Sequence, residues 1–156
     1  KVDLSALTEE TVHTLQIAAE KKGQTLTADI APGITLEGDS GKLMQIFYNL
    51  TDNAIKYTPE NGHIAVRLAQ SGANVLFAVT DDGIGIPEED QKHIFERFYR
   101  VDKARSRATG GTGLGLSIVR QLAAMHGGTV SVSSQPGQGA TFTVTLPMDA
   151  KRGEKA

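Results

Sequence analysis

Two asparagines within one predicted helix are the first residues whose types and spacing indicate chemistry. Asn49 and Asn53 are four residues apart in YNLTDNAIKY, and Lys56 follows three residues later. This spacing places the three side chains on one helical face. Asparagine is a poor helix former, so a pair in register indicates either a binding role or two buried amides that bond to backbone. The Asn53 carbonyl could complete the ligands of a Mg²⁺ already held by phosphates.

A carboxylate follows the most apolar predicted strand. Residues 75–79 form an unbroken apolar run, which is typical of a strand covered on both faces, and Asp81 lies just beyond it. A buried carboxylate is costly unless a donor pairs with it, and an exocyclic amino group such as that of adenine would suit. A turn-forming Asp-Asp-Gly sequence explains the residue equally well.

Two glycine-rich segments, DDGIGIP at 81–87 and GGTGLGL at 110–116, complete the chemically informative stretches. Neither is a Walker A loop or a dinucleotide-binding glycine motif, and taken singly each is typical of a turn. The second segment, however, opens a predicted helix at Gly113. Unpaired N–H groups and the positive end of the dipole at such a position can bind phosphate oxygens.

Composition limits the classes of protein to which the chain can belong. It has 156 residues, a net charge of −2 and 39% hydrophobic residues, as expected for one globular domain. The absence of cysteine excludes disulfides, zinc knuckles and thiol nucleophiles. The balanced charge argues against nucleic-acid binding, and no apolar run approaches the roughly 20 residues of a membrane helix. Because the chain begins at Lys1 rather than methionine, we expect a fragment of a longer protein. Because it has no long apolar run, we expect no membrane contact by this fragment.

The elements that must position these residues follow from periodicity. Helices are predicted at 8–22 (with a capping pattern at Thr8), from Ser40 for about five turns, at 88–95 and from near Gly113. Strands are predicted as two short ones within 24–37, then at 64–68 and 75–79, and as a terminal hairpin built on 130–132 and 142–146. We therefore predict an α+β fold with helices packed on one face of a mixed sheet. The domain spans 1–148, and a polar tail spans 149–156.

Four motifs in order resemble those of the ATP-binding catalytic domain of sensor histidine kinases. QIFYNLTDNAIKYTP resembles the N box, DDGIGIP the first glycine box, IFERFYR the F box and GGTGLGLSIV the second glycine box. The ending HGGTVSVSSQPGQGATFTVTLP also resembles the terminal hairpin of the family. The superfamily includes gyrase, a heat-shock chaperone and mismatch-repair ATPases. The resemblance covers residues 1 to about 148 and implies the Bergerat fold, a two-layer α/β sandwich with a mixed five-stranded sheet and about three helices on one face. It also implies ATP and Mg²⁺.

The resemblance also implies roles for individual residues of the N box and the first glycine box. Asn53 would ligand Mg²⁺, and Asn49 would support the same metal and phosphate region and so act in catalysis. Lys56 would reach the phosphates, and Tyr57 would border the adenine and ribose. Asp81 would accept from the adenine amino group. Further nucleotide contacts implied beneath the base are those of Gly83, Gly85 and Ile86.

The remaining implied roles belong to the F box and the second glycine box. Arg100 would approach the γ-phosphate and stabilise charge during transfer. A lid at 97–112 would close over the nucleotide, which is the general logic of gating loops. Phe95 could anchor this lid or serve the core. The phosphate cradle and lid hinge would be formed by Gly111, Thr112, Gly113, Leu114 and Gly115.

The family's phosphate acceptor is a histidine on a separate dimerisation domain, and no histidine here has its sequence context. His126 ends a predicted helix, where the dipole favours a charged ring. We therefore expect a catalytic module that acts on a histidine of a partner domain, with a response regulator downstream. We expect it in the cytoplasm, within a longer protein anchored in the membrane.

Two other classes share the fold. ATP-driven clamps carry a carboxylate where this chain has Asn49, and a neutral amide cannot act as a general base. An anti-sigma-type serine kinase is the other alternative, but the F box and the long terminal hairpin favour the histidine kinase.

Overall fold

The structure, a computed structural model, describes residues 1–83, 85–86, 88–91, 93–96, 115–134 and 138–148. The predicted lid and the polar tail at 149–156 lie outside them. Within these ranges the helices are α1 (Leu4–Lys21), α2 (Ser40–Tyr57), α3 (Glu88–Gln91) and α4 (Gly115–Met125). The strands are β1 (Val2–Asp3), β2 (Thr25–Ile30), β3 (Thr35–Leu36), β4 (His63–Ser71), β5 (Asn74–Asp81), β6 (Thr129–Ser134) and β7 (Ala140–Pro147). None of the described helices is long and apolar enough to cross a bilayer.

Five strands form one mixed sheet in the order β2-β4-β5-β7-β6. Only the β2–β4 pair is parallel, and the other three pairs are antiparallel. This arrangement confirms the predicted α+β fold. The two short strands predicted within 24–37 are present but do not pair with each other. β2 joins the large sheet, whereas β3 pairs with β1 in a separate two-stranded sheet.

The core lies between the helices and one face of the sheet. Strand β7 alternates between buried and part-exposed side chains, and the stacked rings of Phe47 on α2 and Phe77 on β5 join the two layers, with centroids 4.0 Å apart. The prediction that 75–79 is covered on both faces is wrong. Leu76 and Ala78 face the other side and are partly exposed, and no described helix covers them. Because the outward-facing residues are also apolar, the sequence did not show the polar–apolar alternation that marks a half-buried strand.

The first helix begins four residues earlier than predicted. Asp3 caps it by accepting a hydrogen bond from the Ala6 N–H at 3.0 Å. Thr8, the predicted cap, is fully buried and donates to the Leu4 carbonyl oxygen at 2.8 Å. An aspartate at the N-cap satisfies a free N–H of the first turn, so the helix extends back to it.

The third helix is shorter than predicted, because α3 ends at Gln91 and residues 93–96 form a turn. Phe95 in this turn is buried at 9% exposure, and its ring meets that of Phe142 edge-on at 6.1 Å. Of the two roles left open for Phe95, the structure favours the core.

Candidate functional site

The second half of α2 presents the predicted polar face. Asn49 and Asn53 are half-buried, and neither side-chain amide forms a hydrogen bond with a described residue. The alternative in which backbone satisfies both amides is therefore not seen among these residues. Lys56 forms an ion pair that the sequence analysis did not anticipate, with Nζ 3.1 Å from Asp52 Oδ2. The α2 face thus offers two amide groups and one paired cation.

The first glycine segment packs against the end of α2. A Cβ atom added to Gly83 would lie 2.8 Å from the Tyr57 carbonyl oxygen and 2.9 Å from Asp81 Oδ1. Contacts this short exclude a side chain, so glycine allows the backbone to approach the helix end. The structure thereby brings Asp81, Gly83 and Tyr57 together, although they come from separate elements.

Two adjacent aspartates have opposite electrostatic environments. Asp81 is 9% exposed, and burial raises its pKa even though the N–H groups of Gly83 and Ala140 favour the charged form. Its Oδ1 accepts from the Gly83 N–H at 2.9 Å. Asp82 is exposed, and hydrogen bonds from the His63 N–H and ring lower its pKa. Asp81 is therefore a desolvated acceptor, whereas Asp82 holds the start of β4.

Residues beyond Gly83 are held by the end of the β6–β7 hairpin. Gly85 has φ +74°, a conformation that favours glycine. Next to it, the Ile86 N–H donates to Ser134 Oγ at 2.8 Å. Gln91 Nε2 donates to the carbonyl oxygens of Ile86 and Ser134 at 2.9 and 2.8 Å. Sequence reasoning missed Gln91 and Ser134. Gln91 belongs to none of the quoted motifs, and the resemblance of the terminal hairpin gave Ser134 no individual role.

A third residue that sequence reasoning missed is Gly139, which closes the hairpin behind Asp81. It has φ +79°, and a Cβ atom there would overlap the Asp81 carbonyl oxygen. Ser134 Oγ donates to the Gly139 carbonyl oxygen at 2.6 Å. The glycine-rich turn at 135–139 was visible in the sequence, but its contact with the strand end of β5 was not.

The second glycine box is only partly described. Gly115 begins α4 and is exposed. The other predicted residues of the lid and phosphate cradle lie outside the described residues, so their positions stay predictions. These are Arg100, Gly111, Thr112, Gly113 and Leu114.

The far end of α4 is joined to the start of α2 by His126, which is 4% exposed. The ring Nδ1 donates to the Leu122 carbonyl oxygen at 2.9 Å, and Nε2 accepts from the Asp39 N–H at 3.2 Å. Both ring nitrogens therefore contact backbone groups, one on α4 and one at the start of α2.

Comparisons with known proteins show the family of the chain. Residues 38–150 match the family model described as histidine kinase-, DNA gyrase B-, and HSP90-like ATPase. The chain belongs to this ATPase family.

Among curated relatives, the sensor-like histidine kinase SenX3 of Mycolicibacterium smegmatis is 47% identical over 146 residues, covering 94% of this chain and 38% of the relative. The sensor histidine kinase TmoS of Ectopseudomonas mendocina is 43% identical over 98% of this chain and 16% of the relative. The chain thus spans well under half the length of these relatives, and it corresponds to their ATP-binding catalytic domain.

Solved structures give the same assignment. The catalytic domain of histidine kinase ThkA superposes with a TM-score of 0.83 at 28% identity, covering 97% of this chain and 96% of that one. Full-length ShkA in complex with AMPPNP superposes with a TM-score of 0.80 at 36% identity, covering 94% of this chain and 30% of that one. The fold and the class of domain predicted from the motifs are confirmed.

Proposed function

We propose that this domain binds ATP together with Mg²⁺ and transfers the γ-phosphoryl group to a histidine on a separate dimerisation domain. In the intact signalling system, a response regulator would then receive the phosphoryl group. The observation that carries the proposal is the meeting of the α2 end with the first glycine box, where Gly83 packs on Tyr57 beside the buried Asp81. The expected location, a cytoplasmic module of a membrane-anchored protein, stays a prediction.

The adenine end of the proposed site rests on Asp81. Its carboxylate is largely removed from water, and the Gly83 N–H occupies only part of its accepting capacity. The exocyclic amino group of adenine is a donor that would compensate the remaining desolvation, whereas the carbonyl of guanine at that position would face the carboxylate. Tyr57 would border the base and ribose, and the base would rest on backbone at Gly83, Gly85 and Ile86.

The phosphate end rests on the amide face of α2. Asn53 would supply one oxygen ligand to Mg²⁺, and Asn49 would support the same region. Within the described part of the chain, no cluster of three or more histidine, cysteine or acidic residues could hold a metal. Phosphates and water would therefore supply most ligands, as is usual for Mg²⁺. Bound there, Mg²⁺ would supply charge neutralisation at the transferring phosphoryl group.

Lys56 would reach the phosphates by leaving Asp52. Exposed ion pairs at this spacing contribute only about 0.3 to 0.5 kcal/mol, so the exchange is not costly. Arg100 would stabilise charge on the γ-phosphate, and Gly111, Thr112, Gly113, Leu114 and Gly115 would form the cradle at the start of α4.

The clamp alternative is not favoured, because Asn49 is a neutral amide and cannot activate water as a general base. Slow hydrolysis in the absence of the partner domain is therefore part of the proposal. The acceptor histidine must be supplied by that domain.

Calorimetric titration with ATP, with and without Mg²⁺, tests the proposal, with GTP as the control nucleotide and phosphate release assayed in the same samples. We expect Mg²⁺-dependent binding that is selective for adenine, with little turnover. Steady hydrolysis would support the clamp instead, and absence of binding would overturn nucleotide recognition by this domain.

A further inference from the structure

Helix α2 has no local capping motif at its C-terminal end. Its C-cap, Thr58, is extended at φ −97° and ψ 130°, and Pro59 follows. Helices commonly end with a left-handed glycine that directs N–H groups back to the last carbonyls. Because α2 lacks this device, the carbonyl oxygens of its last turn need donors from elsewhere.

The turn between α1 and β2 supplies those donors. Gln24 Nε2 donates to the carbonyl oxygens of Ile55 and Thr58 at 3.0 and 2.7 Å. Lys22 Nζ donates to the Ile55 carbonyl oxygen at 2.8 Å and contacts that of Lys56 at 3.4 Å. Gln24 is only 5% exposed, so its hydrogen bonds are shielded from water. Two side chains from one turn thus cap a helix about 30 residues further along the chain.

The backbone of this turn also contacts the loop that follows α2. The Asn61 N–H donates to the Lys22 carbonyl oxygen at 3.1 Å, and the Thr25 N–H donates to that of Gly62 at 2.9 Å. Between the two side-chain donors, Gly23 adopts φ +68°. The turn is therefore held against the α2 end by backbone and side-chain hydrogen bonds together.

The carbonyls that the turn caps lie at the proposed nucleotide site. The Ile55 and Thr58 carbonyl oxygens flank Tyr57, and the Tyr57 carbonyl oxygen packs on Gly83. A shift of the last turn of α2 would displace Gly83 and, through its N–H, the Asp81 carboxylate. A continuous series of contacts thus joins Gln24 to Asp81.

The capping arrangement leaves polar atoms unpaired. Gln24 Oε1 and Thr58 Oγ1 are buried and have no hydrogen-bond partner among the described residues. These unpaired oxygens carry a cost, but an apolar residue at position 24 would instead leave the Ile55 and Thr58 carbonyl oxygens without the donor that Gln24 supplies. The donor group of Gln24 therefore holds the end of α2 through two hydrogen bonds.

We propose that Lys22 and Gln24 are positioning residues for the base end of the nucleotide site. They hold the last turn of α2 where Tyr57, Gly83 and Asp81 meet. Both residues lie outside the 38–150 range that the family model matches. The inference rests on the proposed binding of ATP, and it adds α1 and its following turn to the elements that shape the site.

Gln24→Met is the decisive variant, because it keeps the length of the side chain and removes both hydrogen bonds. Gln16→Met is the matched control, since Gln16 Nε2 donates only to the Leu26 carbonyl oxygen on β2, at 3.1 Å. Two quantities are measured: the amide chemical shifts of Tyr57 and Gly83 without nucleotide, and the dissociation constants for ATP, AMP and GTP.

In Gln24→Met we expect both amide signals to shift and the affinities for ATP and AMP to fall by the same factor, roughly three- to tenfold. Selectivity for ATP over GTP should fall as well, because the disturbance lies at the base. The control variant should behave as wild type. Unchanged amide shifts and affinities, or equal losses in the control, would overturn the proposal.

Failure of ATP binding by wild type would count against the proposed function alone. In that case, the amide shifts of the nucleotide-free protein still decide whether Gln24 places Gly83. Thermal melting checks that each variant is folded. If Gln24→Met does not fold, Lys22→Met removes the other donor to Ile55 and is judged by the same results.

Discussion

At the scale of single residues, the contrast between Asp81 and Asp82 separates a binding role from a structural one. Burial raises the pKa of Asp81, whereas hydrogen bonds from His63 lower that of Asp82. A raised carboxyl pKa means that the charged form destabilises the folded state. This penalty is present above the folded-state pKa and vanishes below the ordinary aspartate pKa of 3.8. A lowered pKa means that the charged form stabilises the folded state, and this stabilisation is lost as the pH falls through the folded-state pKa.

Asp81→Asn should therefore raise thermal stability at pH 7 while weakening ATP binding. The gain arises because the buried charge is removed, and it should disappear as the pH falls below about 4. The loss of affinity should be about 1.5 to 3 kcal/mol, roughly 10- to 150-fold, because a hydrogen bond to a charged acceptor is lost. Melting curves across pH and calorimetric titration measure the two effects.

Asp82→Asn is the matched control for Asp81→Asn. It should lower stability at neutral pH, where the carboxylate accepts from His63, and this loss should fade as the pH falls through the lowered pKa. Its ATP affinity should stay close to that of wild type. Unchanged ATP affinity in folded Asp81→Asn would remove the adenine assignment.

Arg100→Ala addresses the residue proposed to stabilise the transferring phosphoryl group. Loss of one preorganised charge at the reacting centre should slow phosphoryl transfer on the order of 10²- to 10³-fold, with a much smaller change in ATP affinity. Single-turnover transfer to the partner histidine, measured beside nucleotide binding, separates the two. Equal losses in both would mean that the arginine only holds ATP.

At the scale of elements, the meeting of β5 with the β6–β7 hairpin depends on Gly139. Gly139→Ala should cost a few kcal/mol of unfolding free energy, because left-handed backbone strain of about 1 to 2 kcal/mol adds to a clash with the Asp81 carbonyl oxygen. ATP affinity should fall too, since the clash displaces the strand end that carries Asp81. Chemical denaturation and calorimetric titration measure both quantities.

Gly72→Ala is the control for this element. Gly72 has φ +60° in the β4–β5 turn, and nothing lies within 4 Å of an added Cβ atom. This variant should show only the strain of about 1 to 2 kcal/mol and normal ATP affinity. Equal losses of stability in the two variants would mean that the hairpin moves aside without cost.

At the scale of the whole molecule, stability depends on the packing of the helical layer against one face of the sheet. Phe77→Ala should cost about 3 to 5 kcal/mol, because the ring is fully buried and stacks on Phe47. Leu76→Ala changes the neighbouring residue on the open face and should cost about 1 kcal/mol or less. Denaturant unfolding measures both, and similar costs would contradict the one-sided core.

The sequence by itself predicted most of the main helices and strands, with errors at their ends, and proposed the candidate residues of the site. Helical spacing identified the amide face of α2, and strand alternation identified the terminal hairpin. The position of a carboxylate at the end of an apolar strand identified Asp81 as a candidate binding residue. These features could be predicted because the 3.6- and 2-residue periods lie within a short window of sequence. The mixed sheet followed from the pattern of predicted elements, and the class of domain followed from the order of the motifs.

Only the tertiary structure decided which distant groups meet. Gln24 bonds to carbonyls 31 and 34 residues away, and Gly139 closes on the Asp81 carbonyl oxygen. The open face of β5 and the contact of His126 with the Asp39 N–H were likewise set by neighbours from other elements. No local period encodes such contacts, since they depend on where packing brings the ends of helices and strands.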